Sequence, residues 1–401
     1  MECASFLEKG RLDAWFQDCF GIYIHVPFCL RRCRYCAFLS SVCSHIPARD
    51  YVDALLAEFR CRAPRYGNHR LLSVYFGGGT PTTFGDDLFA EIIAQIADEF
   101  GTPTECTLEA NPEHVTYERA KAWKSAGFTR ISLGIQSFDD EMLAFLGRKH
   151  TAQMAIDAVA AIKNAGFDEI SIDLIYGGHI SSQRALESWK QSLAVARSLR
   201  PAHVSCYELT IEPHTPLWTA TKRGSQTTED DDTIAEMMGI IPESLGMEQY
   251  EVSNYCRNDV LSAHNVSCWA GLPYLGLGAG AHSLYVDLPT IERRANTSHI
   301  RDYIASKGDI APDFTESLSP QMHLAERLVC AARTRVAWCP DAIARGLGAD
   351  ISPYAPYIER AVDHGWIVAE RQNDSICYRT TSDGIRLNNL LAEMIFDGAP
   401  C

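Results

Sequence analysis

The 401-residue chain has no run of about 18 consecutive apolar residues, the length a membrane-spanning helix needs, so no integral membrane segment is expected. Its start, Met1-Glu2-Cys3, lacks the basic and apolar regions of a secretory signal, which points to the cytoplasm. Positive charge is scarce. With 36 Lys and Arg against 51 Asp and Glu, the net charge of −15 leaves few cations for a broad nucleic-acid surface, because phosphate backbones are bound chiefly through Lys and Arg. Internal repeats and low-complexity tracts are also missing. Cysteine is plentiful at 15, but the odd count and scattered positions fit free thiols in a reducing compartment, not a disulfide framework. The length allows a large core and two or three domains, or one barrel with additions.

The exception to the scatter is Cys29-Leu-Arg-Arg-Cys33-Arg-Tyr-Cys36, directly after the apolar run over 21–28. Three thiolates are soft ligands suited to iron-sulfur clusters, and a [4Fe-4S] cube held by three of them leaves one iron open to a small molecule. Two other readings of the same residues stand beside this one: a zinc site completed by His25 or Cys43, and a chance grouping in a cysteine-rich chain. Zinc knuckles pair one C-x2-C with a second, and the chain has no second pair. The C-x3-C-x2-C spacing after a strand ending in Pro-Phe resembles the radical S-adenosylmethionine (SAM) superfamily.

Strand-like runs over 22–26, 72–76, 105–110, 130–135, 169–175 and 203–211 alternate with amphipathic stretches over 51–59, 88–100, 117–126 and 154–165. Gly127 and Gly166 read as helix stops in the left-handed cap position. Six strand-helix units predict a parallel sheet with right-handed crossovers, an α/β fold of the partial (β/α)6, TIM-like barrel type, whose site belongs at the carboxyl ends of the strands. The cysteine loop, Gly77-Gly78-Gly79-Thr80, Glu109-Ala-Asn111, Gln136-Ser137 and Asp173 all follow or end expected strands. Polar and Gly-rich features on one rim indicate a site, where packing alone would put apolar residues.

We expect an N-terminal segment over 1–20, the barrel core over 21–215, a linker with ligand-side elements over 216–306, and a C-terminal domain over 307–401. Residues 215–232 read as a surface connection. Helices over 321–333, 340–345 and 353–361, a hairpin over 365–381 and a last helix from Ser382 form a winged-helix-like order. Residues 316–401 carry eight Arg, no Lys and eleven Asp plus Glu, which favours packing or partner binding over DNA contact.

Individually, the rim residues have ordinary explanations: a tight turn at Gly77-Gly78-Gly79, a solvated carboxylate at Glu109, polar strand ends at Gln136 and Asp173, a salt-bridged helix residue at Arg148. Together they form a pattern. Tyr23-x-His25-x-Pro27-Phe28-Cys29, Gly77-Gly-Gly-Thr-Pro81, Glu109-Ala-Asn-Pro112, Gly134-Ile-Gln-Ser-Phe138, Leu146-Gly-Arg148 and Asp173-Leu-Ile-Tyr-Gly177 resemble, in order and spacing, the radical SAM family of oxygen-independent coproporphyrinogen III oxidases and their heme-chaperone relatives (HemW). The resemblance implies that Cys29, Cys33 and Cys36 hold a [4Fe-4S] cluster. It also implies that Tyr23, Gly78, Gly79, Thr80, Glu109, Gln136, Arg148 and Asp173 surround SAM, with Phe38 beside the adenine.

Within that family, the oxidases carry a fourth cysteine two residues after the third, where this chain has Phe38. The chaperone branch has Phe there and a later His-Asn-x-x-Tyr-Trp motif, present here as His264-Asn-Val-Ser-Cys268-Trp269, so His264 is the implied heme ligand. Cys268 replaces the motif's tyrosine and offers an alternative thiolate. Gly177-Gly178-His179 stands where relatives show Gly-Leu-Pro. The resemblance thus implies a heme chaperone that passes heme to an acceptor protein, with a flavodoxin- or ferredoxin-type electron donor if SAM is cleaved. A tetrapyrrole-modifying enzyme, above all a coproporphyrinogen III oxidase, and a zinc-stabilised interaction protein remain as alternatives.

Overall fold

The computed structural model describes residues 10–15, 18–43, 45–178, 182–224, 229–372 and 375–398, without the side chains of 15, 182 and 183. The first nine residues of the expected N-terminal segment, and His179, lie outside the described residues. Six parallel strands follow one another across the sheet: β1 (Cys19–Val26), β2 (Arg70–Gly78), β3 (Glu105–Ala110), β4 (Arg130–Gln136), β5 (Glu169–Tyr176) and β6 (His203–Glu208). Helices α1 (Ala48–Arg62), α2 (Asp86–Phe100), α3 (Tyr117–Ala126), α4 (Asp140–Leu146), α5 (Ala152–Asn164) and α6 (Ser182–Leu199) occupy the crossovers, giving the expected partial (β/α) barrel.

The strands form because every second residue is apolar or β-branched and packs outward beneath the helices. Phe20, Ile22, Ile24 and Val26 of β1, Ile131, Leu133 and Ile135 of β4, and Ile170, Ile172 and Leu174 of β5 join one core with Tyr51, Leu55 and Phe59 of α1. The intervening residues, among them Tyr23, Tyr75, Thr107, Arg130, Ser132, Ser171 and Ser205, are polar and turn inward. A TIM-type barrel normally fills its interior with branched apolar side chains; this one keeps a polar lumen. The helices carry their own start and stop signals: Thr116 and Thr151 accept from the backbone N–H groups of Arg119 and Met154, and Gly127 ends α3 at φ +110°. Gly166, just past α5, also has a positive φ, of 90°.

Structure and expectation differ in four places. The stretch read as a surface connection contains α7 (Pro216–Lys222), started by Thr215 accepting from the Trp218 N–H, and its Leu217 N–H donates to the Arg34 carbonyl at 2.9 Å. The chain there folds onto the cysteine loop. Further along, β7 (Asn254–Cys256) adds antiparallel to β6, while α8 (Ala263–Trp269) leads into β8 (Tyr274–Leu277), a seventh parallel strand beside β1. Three antiparallel strands continue that edge: β9 (His282–Asp287), β10 (Thr290–Asn296) and β11 (Pro312–Leu318). Because β11 pairs with β10, the sheet crosses the boundary expected at 306/307. Its mostly exposed Pro-Asp-Phe-Thr-Glu-Ser residues lack the apolar alternation by which a strand is recognised. Finally, the last helix is two, Ser382–Arg386 and Asn388–Phe396, broken at Leu387.

The helices Pro320–Ala332, Pro340–Leu347 and Ala355–Asp363 and the hairpin Ile367–Gln372/Ser375–Thr380 occur in the expected order. Their apolar faces, including Leu328, Ile343, Ile358 and Ile367, together with Trp338 and with Leu391 of the last helix, bury against Cys19 and Leu72, at the amino ends of β1 and β2, and against Tyr250 and Val266. The C-terminal layer therefore covers the end of the sheet opposite the rim.

Candidate functional site

A cavity of about 750 Å3 runs from the carboxyl-end rim into the lumen. It is lined by Cys29, Cys33, Cys36, Phe38, Gly78, Gly79, Thr80, Glu109, Gln136, Arg148 and Asp173, eleven of the thirteen site residues expected from the sequence. Tyr23 and His264 are not among the lining residues.

The glycines are required by close approach. Gly78 has φ +110°, and a Cβ there would sit 2.6 Å from the His25 ring; a Cβ on Gly79 would sit 2.8 Å from the Phe28 carbonyl oxygen. That proximity lets the Gly79 and Thr80 N–H groups donate to the carbonyls of Val26 and Phe28, each at 2.8 Å, which straps the cysteine loop to the end of β2. Thr80 Oγ1 lies 3.4 Å from Cys29 Sγ and accepts from Asn111 Nδ2 at 3.3 Å.

Arg148 ties the third side of the rim to the loop. Its Nη1 donates to Cys33 Sγ at 3.4 Å, and its Nη2 to Asn111 Oδ1 and the Gly134 carbonyl, both at 2.6 Å. Gln136 adopts φ 71°, unusual for a side-chain-bearing residue, at a bulge between β4 and β5 that brings its amide toward Asn111 and Arg148. Glu109 accepts from Tyr75 Oη at 2.8 Å and from the Gly78 N–H at 3.3 Å. Burial pushes its carboxyl up to about 7 despite the Tyr75 hydrogen bond, and the nearby Asp173 charge adds to the rise. Asp173 accepts from Ser132 Oγ at 3.1 Å, and burial raises its carboxyl against the Ser205 and Ser132 hydroxyls.

These residues fit a cluster better than a single zinc ion. The three thiols line one cavity, yet among the described residues no three His, Cys, Asp or Glu side chains converge as ligands of one metal ion. A cube takes each thiolate on a separate iron and needs no common point. His25, considered as a fourth zinc ligand, has both ring nitrogens engaged, with Tyr23 Oη at 3.1 Å and the Leu39 carbonyl at 3.0 Å. Burial raises the Cys29 and Cys36 thiols, so they stay protonated until a metal replaces the proton. Phe38 is 67% exposed at the cavity mouth, free to stack on a planar group.

His264 takes a different place. It opens α8 below the cavity, its ring stacked on Tyr75 at 4.9 Å and near Tyr23 at 6.3 Å, with Nδ1 2.9 Å from Ser73 Oγ. Glu105 accepts from the N–H groups of Ala263 and His264 at 2.8 and 3.2 Å and fastens the helix across the bottom of the lumen. Burial pushes the His264 imidazole down to about 4, against the Glu105 charge. The ring is neutral and enclosed. Tyr23 belongs to the same stack, behind the rim.

The motif reading missed the lumen residues Arg130, Ser132, Ser171, His203, Ser205 and Tyr207, which also line the cavity. Their signal was available as polar residues at every second position of β4, β5 and β6, in Arg-x-Ser-x-Gly, Ser-x-Asp and His-x-Ser-x-Tyr.

Residues 23–190 match the family described as the Radical SAM superfamily. The chain is similar to the heme chaperone HemW of Haemophilus influenzae, at 37% identity over 295 residues, covering 71% of this chain and 75% of the relative. The heme chaperone HemW of Bacillus subtilis is 32% identical over 292 residues, covering 71% and 76%. Among solved structures, coproporphyrinogen III oxidase (HemN) from Escherichia coli, described as a radical SAM enzyme, matches with a TM-score of 0.76 at 18% identity, over 96% of this chain and 92% of that one. This last likeness concerns the fold.

Proposed function

The chain belongs to the heme chaperone HemW family within the radical SAM superfamily, and from that premise we propose that it binds a [4Fe-4S] cluster, SAM and heme and passes heme to an acceptor protein. The observation that carries the reading is the rim itself: three free thiols, a glycine strap and the Glu109, Arg148 and Asp173 side chains around one cavity, with Phe38 where the oxidase pattern has a further cysteine.

Each residue has a part in this reading. Cys29, Cys33 and Cys36 hold the cluster, which supplies an open iron and an electron for SAM. Arg148 keeps a positive charge against Cys33 and orients Asn111. The backbone of Gly78 and Gly79 lets the ligand lie close to the strand end, with Thr80 and Gln136 as polar contacts and Tyr23 supporting the rim from behind. Glu109 and Asp173 accept hydrogen bonds from hydroxyl groups, and Phe38 covers the adenine. A flavodoxin- or ferredoxin-type donor supplies electrons where SAM is cleaved.

His264 remains the candidate heme ligand in chemical terms, since a neutral imidazole suits iron. Its place under Tyr75 requires heme to come down into the lumen or α8 to move. Cys268, later on the same helix, is the second candidate; burial pushes its thiol up to about 12, and ligation would displace the proton.

The test is a heme titration of anaerobically purified, cluster-reconstituted protein followed by Soret absorbance, with His264→Ala and Cys268→Ala alongside. Saturable one-to-one binding without conversion of coproporphyrinogen III is the expected result. Absence of binding to the wild type discards the chaperone reading, and SAM-dependent decarboxylation of coproporphyrinogen III replaces it with the oxidase.

A further inference from the structure

Arg130, the first residue of β4, lines the lower part of the cavity with only 2% of its surface exposed. Its Nη1 has no hydrogen-bond partner among the described residues. Glu169 Oε2 is 3.9 Å from Nη1, beyond hydrogen-bonding distance, and the Glu169 side chain is 42% exposed. A guanidinium cannot shed its charge, and a buried one is costly unless hydrogen-bonded to an anion.

The other acids of the lumen are committed elsewhere. Glu105 holds the start of α8, Glu109 holds Tyr75 and the Gly78 N–H, and Asp173 holds Ser132. His203 adds no charge: its Nδ1 meets Ser171 Oγ at 2.8 Å and its Nε2 meets Tyr250 Oη at 2.9 Å, and burial together with Arg130 lowers its imidazole well below the ordinary range. One permanent cation with hydrogen-bonding capacity to spare therefore sits at the bottom of a polar, ligand-sized cavity.

We propose that Arg130 is an anion subsite that takes a carboxylate reaching down from a ligand held at the rim. The class follows from charge and shape. A guanidinium fork matches a planar, singly charged carboxylate, whereas a phosphate dianion carries more charge than one guanidinium neutralises. The identity of the ligand rests on the function proposed above: heme carries two propionates, and one of them reaches Arg130.

The experiment compares hemin with hemin dimethyl ester on reconstituted wild type, Arg130→Gln and Arg130→Lys. In parallel, it follows thermal melting in sodium propionate against sodium chloride at equal ionic strength. Wild type binds hemin about tenfold tighter than the diester, in keeping with a charge-assisted pair. Arg130→Gln removes that preference, and Arg130→Lys, which keeps the charge without the fork, retains part of it. Propionate stabilises wild type and not Arg130→Gln. Equal binding of hemin and diester by wild type, or a preference that survives in Arg130→Gln, overturns the proposal. If neither porphyrin binds, the heme reading fails and the propionate melts decide the subsite alone: stabilisation lost in Arg130→Gln upholds it, and no more stabilisation than chloride gives overturns it. Should Arg130→Gln fail to fold, Arg130→Lys with the wild-type comparison carries the same decision.

Discussion

The two ends of the lumen are built in opposite ways. At the rim, the functional groups come from the last residues of the strands and the short stretches that follow them, and they face the cavity: the cysteine loop, Gly78, Gly79 and Thr80, and the Glu109 and Arg148 side chains. At the floor, polar groups come from alternate positions inside the strands and mostly satisfy one another, as His264 does with Ser73, Glu105 with the start of α8, and His203 with Ser171 and Tyr250. A buried polar group must be hydrogen-bonded, so a floor made of such pairs is rigid and closed. The rim can afford unfilled valences because a ligand completes them. Arg130 is the floor residue that behaves like a rim residue.

The contrast breaks most completely when a rim thiol is removed. Cys33→Ser should abolish the visible iron-sulfur absorption and SAM binding together, while the metal-free protein melts close to the metal-free wild type, because Cys33 packs in no core cluster. Iron and sulfide analysis with SAM equilibrium binding checks this, and a variant that still assembles a full cluster would remove Cys33 from the ligand set.

Next in size is Gly79→Ala. The new Cβ would meet the backbone carbonyls of Phe28 and Val26 at 2.8 and 2.9 Å, atoms that cannot swing aside. The strap must open, at a cost of about 1–3 kcal/mol, read as a lower urea midpoint and accompanied by weaker SAM binding. An unchanged midpoint would show that the loop is not held at this distance.

The ends also differ in how they respond to pH. Glu109 is raised from 4.5 to about 7 in the fold, so the native state holds its proton more tightly than the unfolded chain, and its contribution to stability falls as pH rises across that window. His264 is lowered from 6.5 to about 4, so its contribution is present above 6.5 and lost as pH falls toward 4. Each amounts to about 3.5 kcal/mol at most, from roughly 1.4 kcal/mol per unit, and the two oppose each other between pH 4.5 and 6.5. Glu109→Gln should therefore make stability rise more steeply with pH in that interval, and His264→Gln should make it fall. Urea unfolding across the interval checks both slopes; parallel profiles for the two variants would refute the assignment of either group.

Much of the rim was legible because its chemistry is contiguous: Cys29, Cys33 and Cys36 lie within eight residues, and Gly77 through Pro81 read as one turn. The six strand-helix units were legible for a similar reason, the apolar period of two outside and of about 3.6 in the helices. The floor was harder to read. Glu105 meets Ala263 across 158 residues of chain and Ser73 meets His264 across 191, pairings that no local pattern encodes. The edge strand β11 escaped because an exposed strand needs no apolar face, and α7 because the polar and charged residues over 215–232 mask the helix start at Thr215-Pro216. His264 shows the limit of a motif: the residue is where the pattern expects it in sequence, while its ring is turned into the stack with Tyr75.

Phe38 gives the smallest and most discriminating test of rim against floor. It is a large apolar side chain left 67% exposed at the cavity mouth, so the folded protein gains little from it. Replacing it with Ala should change stability by no more than about 0.5 kcal/mol, as for surface positions in general. Ligand binding should respond differently, because an aromatic face stacked on adenine contributes about 0.5–1.5 kcal/mol beyond burial. SAM affinity measured on reconstituted Phe38→Ala should drop several-fold while the urea midpoint stays put. A floor residue whose hydrogen bonds are all made within the protein, such as His264 or His203, cannot give that split, since its loss disturbs the fold and the cavity together. If SAM binds Phe38→Ala as tightly as it binds wild type, the adenine does not lie at the mouth, and the exposed ring answers to another surface.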